Sequence, residues 1–297
     1  RGQGLWMAQA ILAQALRISA SFCPHTLPRR MAASVEREAG TRTVEGDTLA
    51  YDLYGQSTAK AGAIFLHGFG GGRAALAHHS QRAAALGAAV LAPDLSSLTR
   101  GGSLRELFVD RSVRSAQLRN VRQVVDHATW FDRKPFALIG HSAGGGIALE
   151  ATVALQAAGR SPAVLVLLDA VPWNQTIELA GSFDLMATRL VSIRAEPSAW
   201  NKDGAVAEAL RRVPSVADLG RLVDIQVVGA RHGDPMVADW KLRVLRLLGD
   251  NSEVWPSLVD AFLADALGLN SGQNSADALV VSLRNSGVLR CLNAAGR

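Results

Sequence analysis

A chain of 297 residues, 48% hydrophobic and 5% aromatic, has an ordinary globular composition and can bury a substantial core as one large α/β domain with extensions. Its formal charge of +5 is spread along the chain; the densest run, Arg105, Arg111, Arg114, Arg119 and Arg122, falls on an amphipathic helix without interleaved aromatics, reads as a solvated face, and argues against a nucleic-acid partner. Two cysteines, Cys23 and Cys291, lie in the terminal stretches, which argues against a disulfide framework or a cysteine metal site, and no apolar run is long enough for stable membrane insertion.

The first residue is Arg1 rather than methionine, with Met7 and Met31 as candidate starts, and residues 1–34 read as an N-terminal extension. Leu5 to Leu16 is apolar and short, and reads either as a loosely attached amphipathic helix or as the core of a signal peptide. A cytoplasmic location goes with the first reading, and a secreted or periplasmic one with the second. From Val35 to Tyr54 two strands are expected, joined by a turn at Glu45-Gly46-Asp47. Gly62 to Leu66 is a buried strand that runs into His67-Gly68-Phe69-Gly70-Gly71-Gly72. A helix over Arg73 to Leu86 stops at Gly87. The strand Ala88 to Ala92 ends at Pro93-Asp94, and a long helix covers Asp110 to Trp130.

Phe136 to Ile139 then forms an apolar strand entering Gly140-His141-Ser142-Ala143-Gly144, with an alanine-rich helix behind it. This is the G-x-S-x-G pattern in the context it requires, a buried strand before and a helix after. A serine on so sharp a turn projects its hydroxyl above the sheet, and the helix N-terminus behind it favours negative charge beside it. Later strands at Ala163 to Leu168, Thr188 to Ala195 and Asp224 to Val228 end at Asp169, at Glu196-Pro197 and at Gly229-Ala230-Arg231-His232. Helices are expected at Gly204 to Arg212, Met236 to Leu248 and Pro256 to Leu267, and residues 269–297 read as a C-terminal tail. Short apolar strands alternating with helices imply a mostly parallel sheet covered on both faces. One domain over residues 35–268 accounts for that rhythm.

In such sheets chemistry gathers at the carboxyl ends of the strands. Ser142, a following acid and a following histidine stand in the order Ser, Asp, His, and His232 is the single histidine downstream of Ser142. Three acids compete. Asp169 is favoured because a carboxylate closing an apolar strand needs a buried partner; Glu196 ranks second, and Asp234 third because no histidine follows it. The glycine run at 70–72 lacks the lysine and serine or threonine of a phosphate loop, no residue pattern suggests a metal, and no cofactor is expected.

The Ser142 turn, the His67-Gly68-Phe69-Gly70 loop and the strand rhythm resemble the α/β-hydrolase superfamily. Within it the spacing of Leu168-Asp169 and Gly229-Ala230-Arg231-His232 is similar to that of chlorophyllases and platelet-activating-factor acetylhydrolases. The resemblance implies an α/β-hydrolase fold with a central sheet of about eight strands. It also implies a Ser142-His232-Asp169 triad, and an oxyanion hole from the backbone amides of Phe69 and Ala143. The expected activity is a serine hydrolase cleaving carboxylic esters through an acyl-enzyme, on a small ester with an apolar acyl group. The same triad also serves acyltransferases and perhydrolases, and a non-catalytic binding member of the fold is the third class. Val171 and Trp173, with Ile177, Leu179, Phe183 and Met186, either line the acyl site or pack as an ordinary loop. The sequence sets no oligomeric state.

Overall fold

The computed structural model describes residues 35–44, 47–95, 98, 111–172, 176–212, 221–236, 254–269 and 275–292, with side chains of 111–117 excepted. The expected extension before residue 35, Cys23, Trp173 and the helix expected from Met236 to Leu248 lie outside these residues, apart from Met236 itself. Nine strands form one sheet: β1 (Arg37–Val44), β2 (Asp47–Tyr54), β3 (Ala61–Leu66), β4 (Ala88–Pro93), β5 (Phe136–His141), β6 (Val164–Leu168), β7 (Arg189–Arg194), β8 (Leu222–Val227) and β9 (Leu289–Cys291). Their order is β1-β2-β4-β3-β5-β6-β7-β8-β9. The strands from β4 to β8 run parallel, while β1, β2 and β9 are antiparallel additions at the two edges.

The α-helices given by the described residues are α1 (Ala77–Ala85), α2 (Arg111–Ala128), α3 (Ala143–Ala157), α4 (Thr176–Ala180), α5 (Ala205–Arg211), α6 (Val254–Leu267) and α7 (Ala276–Asn285). They cover both faces: α2 packs on α3 and α4 on α5, while α1 packs on α6 and α6 on α7. Central strands β3, β4, β5 and β6 are buried at every position, as expected for a sheet sandwiched between helix layers. Alternate residues of these strands (Ile64 and Leu66, Leu138, Leu165 and Leu167) share a core with Ile147, Leu149 and Leu155 of α3. None of the helices in the described residues is long and apolar enough to cross a membrane.

The nine strands seen among the described residues are close to the eight or so expected, and the last of them, β9, lies in the stretch read as a tail. There Ser275 caps α7 by accepting from the Ala278 N–H, α7 buries Ala276 and Leu283, and β9 pairs Leu289 with Val227 and Cys291 with Ile225. Three strand residues are too few to show a period, and their pairing with β8 is what makes them a strand. The helix expected from Arg73 begins instead at Ala77, because Arg73 is pinned outside it. Its N–H and guanidinium bind Asp94 at 2.6 Å each, and its Nε binds buried Asp52 at 3.1 Å.

Candidate active site

The turn between β5 and α3 is built from close approaches. A Cβ on Gly140 would stand 2.3 Å from the Gly144 carbonyl oxygen, and one on Gly144 would stand 2.4 Å from that of His67. Only glycine lets strand, turn and helix approach so closely. Ser142 sits at φ 54°, ψ −123°, a strained conformation for a residue with a side chain. It is held there because its N–H donates to the Leu168 carbonyl (3.0 Å) and its carbonyl accepts from Val171 (3.0 Å) and Gly145 (2.9 Å).

Asp169 leaves the end of β6 with φ 45°, another left-handed residue fixed by its surroundings. Its carboxylate is fully buried, and each oxygen is engaged. Oδ1 accepts from the Ala195 N–H (3.0 Å) and from Asn201 Nδ2 (2.9 Å), while Oδ2 lies 2.5 Å from His232 Nδ1. A carboxylate only accepts, so the proton between them belongs to the imidazole Nδ1. That leaves His232 Nε2, 2.9 Å from Ser142 Oγ, to accept the hydroxyl proton. The structure therefore joins Ser142, His232 and Asp169 in one hydrogen-bonded row above the sheet edge.

The two rival acids are occupied elsewhere. Glu196 accepts from Gln226 Nε2 (2.5 Å) and from the Gly229 N–H (2.9 Å), stitching the ends of β7 and β8 together. Asp234 closes the His232 loop on itself, accepting from the Arg231 N–H at 2.9 Å.

Two buried histidines fasten that loop from below. His141 Nε2–H donates to the His232 carbonyl (2.9 Å), and His79 Nε2–H donates to the Pro235 carbonyl (2.7 Å). Desolvation pushes His141 down to about 4 and His79 down to about 3, so both stay neutral.

On the other side of Ser142 lies the His67–Gly72 loop, close enough that a Cβ on Gly68 would stand 2.9 Å from Ser142 Cβ. His67 ties this loop down. Its Nδ1–H donates to the Gly68 carbonyl (2.8 Å), and its Nε2 accepts from the Leu95 N–H (3.0 Å). Burial holds its pKa below the ordinary value, which suits a ring that must donate and accept at once. The Gly70 N–H donates to Leu98. The Phe69 amide is not taken up by any backbone bond of the described residues, and Ala143 opens α3 beside Ser142.

Of the expected substrate contacts, Val171 is buried against the site through its N–H bond to Ser142. Phe183 belongs to the main core, whereas Ile177 and Met186 are exposed, so the 176–186 segment divides between packing and surface. Three residues near the row escaped the sequence: His141, Asn201 and Trp200. The first two act through hydrogen bonds to backbone or to a carboxylate, which leave no spacing pattern. Trp200 lies alongside His232 with ring centroids 6.2 Å apart and planes 11° from parallel.

A sequence model of the alpha/beta hydrolase family matches residues 63–289, from β3 into β9. No curated protein matches the chain in sequence. Among solved structures, the chain is similar to a predicted CIB-like hydrolase from Thermoplasma acidophilum (TM-score 0.57, 13% identity, 78% of this chain and 99% of that one). An esterase from Pyrobaculum calidifontis gives TM-score 0.52 at 16% identity over 76% and 85% of the two chains. A dienelactone hydrolase from Anabaena variabilis gives 0.51 at 18% identity over 72% and 99%. At these identities the likeness is one of fold, and it does not single out chlorophyllases or platelet-activating-factor acetylhydrolases. With the family matched over most of its length, and the sheet and the Ser142 turn built as described, the chain belongs to the alpha/beta hydrolase family.

Proposed function

We propose that the protein is a serine hydrolase that cleaves carboxylic esters, with Ser142 as nucleophile, His232 as general base and acid, and Asp169 as the group that orients the imidazole. The observation that carries this reading is the continuous contact from Ser142 Oγ through His232 to Asp169, at 2.9 Å and 2.5 Å. In the acylation step Ser142 Oγ bonds to the ester carbonyl carbon while its proton passes to His232 Nε2. Asp169 stabilises the imidazolium that results. The tetrahedral oxyanion is held by the amides of Phe69 and Ala143, aided by the N-terminus of α3. Collapse breaks the bond to the alcohol oxygen, which takes the proton from His232 and departs. Water, activated by the same imidazole, then attacks the acyl-enzyme and releases the acid. Val171, and Trp173 by its place in the chain, are assigned to the acyl side.

Esterase neighbours of the same fold are consistent with this chemistry. The test is turnover of a short-chain aryl acetate by the purified chain and by Ser142→Ala. Release of free acid, with loss of about 10⁶ in the variant, supports hydrolysis. Turnover only when an alcohol or thiol acceptor is added would assign acyl transfer instead. No turnover by folded protein with any acceptor would favour a binding member of the fold.

A further inference from the structure

Trp200 is 60% exposed, and nothing in the core uses its indole. Tryptophan presents a large flat apolar face with one polar N–H, and it is enriched where a protein surface meets another molecule. This one occupies a particular place, alongside the imidazole of His232 in a near-parallel offset stack. The turn that carries it is strained and internally hydrogen-bonded. Lys202, Asp203 and Gly204 have φ of 46°, 55° and 80°, and the first two are not glycine. The turn is closed by bonds from the Ser198 N–H to Asn201 Oδ1 (3.0 Å), from Asp203 to the Ser198 carbonyl (3.2 Å) and from Gly204 to the Asn201 carbonyl (2.9 Å). As a result two consecutive residues serve two members of the site. Asn201 turns inward to hold Asp169 at 2.9 Å, and Trp200 turns outward beside His232. Strain of this kind persists where the surroundings over-determine a geometry, and here that geometry delivers an aromatic face to the reaction centre.

We infer that Trp200 is the platform for the alcohol portion of the substrate, and that this portion is aromatic. The inference rests on the hydrolase reading and deepens it. When the ester carbonyl carbon lies on Ser142 Oγ and its oxygen faces Phe69 and Ala143, the leaving oxygen must lie within hydrogen-bond reach of His232 Nε2 to receive its proton. Whatever is attached to that oxygen therefore extends past the imidazole, and the indole is stacked alongside that imidazole. A flat aromatic group there stacks on the exposed indole face, whereas a short alkyl group leaves the face wet. The acyl group is bonded to the other side of the carbonyl carbon, away from the leaving oxygen.

The experiment compares benzyl acetate with ethyl acetate, whose acyl-enzymes are identical and whose leaving alcohols differ mainly in the ring. The readout is the ratio of their kcat/KM values in the parent chain, in Trp200→Ala and in Trp200→Phe. The expected result is a fall of at least 10-fold in the benzyl-to-ethyl ratio for Trp200→Ala, carried by KM, with Trp200→Phe keeping the ratio within about three-fold of the parent. An unchanged ratio in Trp200→Ala overturns the proposal, including the case where both esters slow equally, which would make Trp200 a support for His232 alone. Should the folded parent hydrolyse neither ester, the hydrolase reading fails and the platform is judged by binding. Saturable quenching of tryptophan fluorescence by benzyl alcohol that disappears in Trp200→Ala sustains it, and quenching that is the same in both overturns it.

Discussion

Ser142 carries its reactivity through partners it reaches only after the chain has folded, and the buried acid is the farthest of them along the hydrogen-bonded row. Asp169 meets the imidazole at 2.5 Å, while Glu196 and Asp234 spend their oxygens on backbone and Gln226. Asp169→Asn is expected to lower kcat about 10⁴-fold, because the amide favours the wrong imidazole tautomer. Glu196→Gln and Asp234→Asn should each stay within about 10-fold of the parent. Steady-state kinetics on the three variants checks this, and a loss greater for Glu196→Gln than for Asp169→Asn contradicts it. Asn201→Ala removes one of the two donors to Asp169 Oδ1 and should lower kcat by about 10- to 100-fold with little change in KM. Ser142, Asp169 and His232 could be read in advance because residue type, chain order and strand ends together confine the choice. Asn201 could not: a lone asparagine in a polar loop looks the same whether its amide faces water or a carboxylate.

Strands and helices bring these side chains together through backbone contacts that leave no room for adjustment. Gly140 lies where a Cβ would meet the Gly144 carbonyl at 2.3 Å, so Gly140→Ala must push β5 and α3 apart. We expect it to destabilise the fold by about 3 kcal/mol and to abolish turnover. Gly268, with φ 64° and open space around its Cα, is the contrast: Gly268→Ala should be destabilising by about 1 kcal/mol through backbone strain alone, with activity kept. Urea unfolding of both variants separates the cases, and equal losses would contradict the account. Strands β3, β4 and β6 are legible as short apolar runs and β5 as the apolar run that enters the Ser142 turn. By contrast, β7 carries Arg189, Ser192 and Arg194 and β8 carries Asp224 and Gln226, so those two are read from their apolar positions and the rhythm around them. β9 was hidden in three residues whose partner strand lies more than sixty positions away. The signal that could have revealed its helix is Ser275, a cap residue ahead of the apolar positions Leu279, Val280 and Leu283.

Across residues 36–297, which cluster as one compact unit, buried titratable groups set how stability responds to pH. Burial pushes His79 down to about 3 and His127 and His141 down to about 4. These rings stay neutral in the fold and are protonated once unfolded, so their contribution is whole above about 6.5 and is lost as the pH falls toward about 4. Glu150 and Asp260 oppose them. Burial pushes these carboxyls up to about 7 and about 6, so their contribution is whole at low pH and is lost as the pH rises through those values. Glu150→Gln removes the larger opposing effect. Relative to the parent, the variant should gain up to about 3 kcal/mol between pH 4.5 and pH 7 and hold that gain at pH 8. A difference between variant and parent that does not change with pH would mean Glu150 ionises as it does in water.

Covalent capture is the direct test of whether Ser142 is a nucleophile made reactive by His232. Folded protein is treated with a fluorophosphonate, digested, and the modified peptide identified by mass spectrometry. One adduct per chain on Ser142, formed at least about 10³-fold more slowly in His232→Ala, is the predicted result. Folded protein that stays unmodified, or that is modified at the same rate without His232, would contradict it.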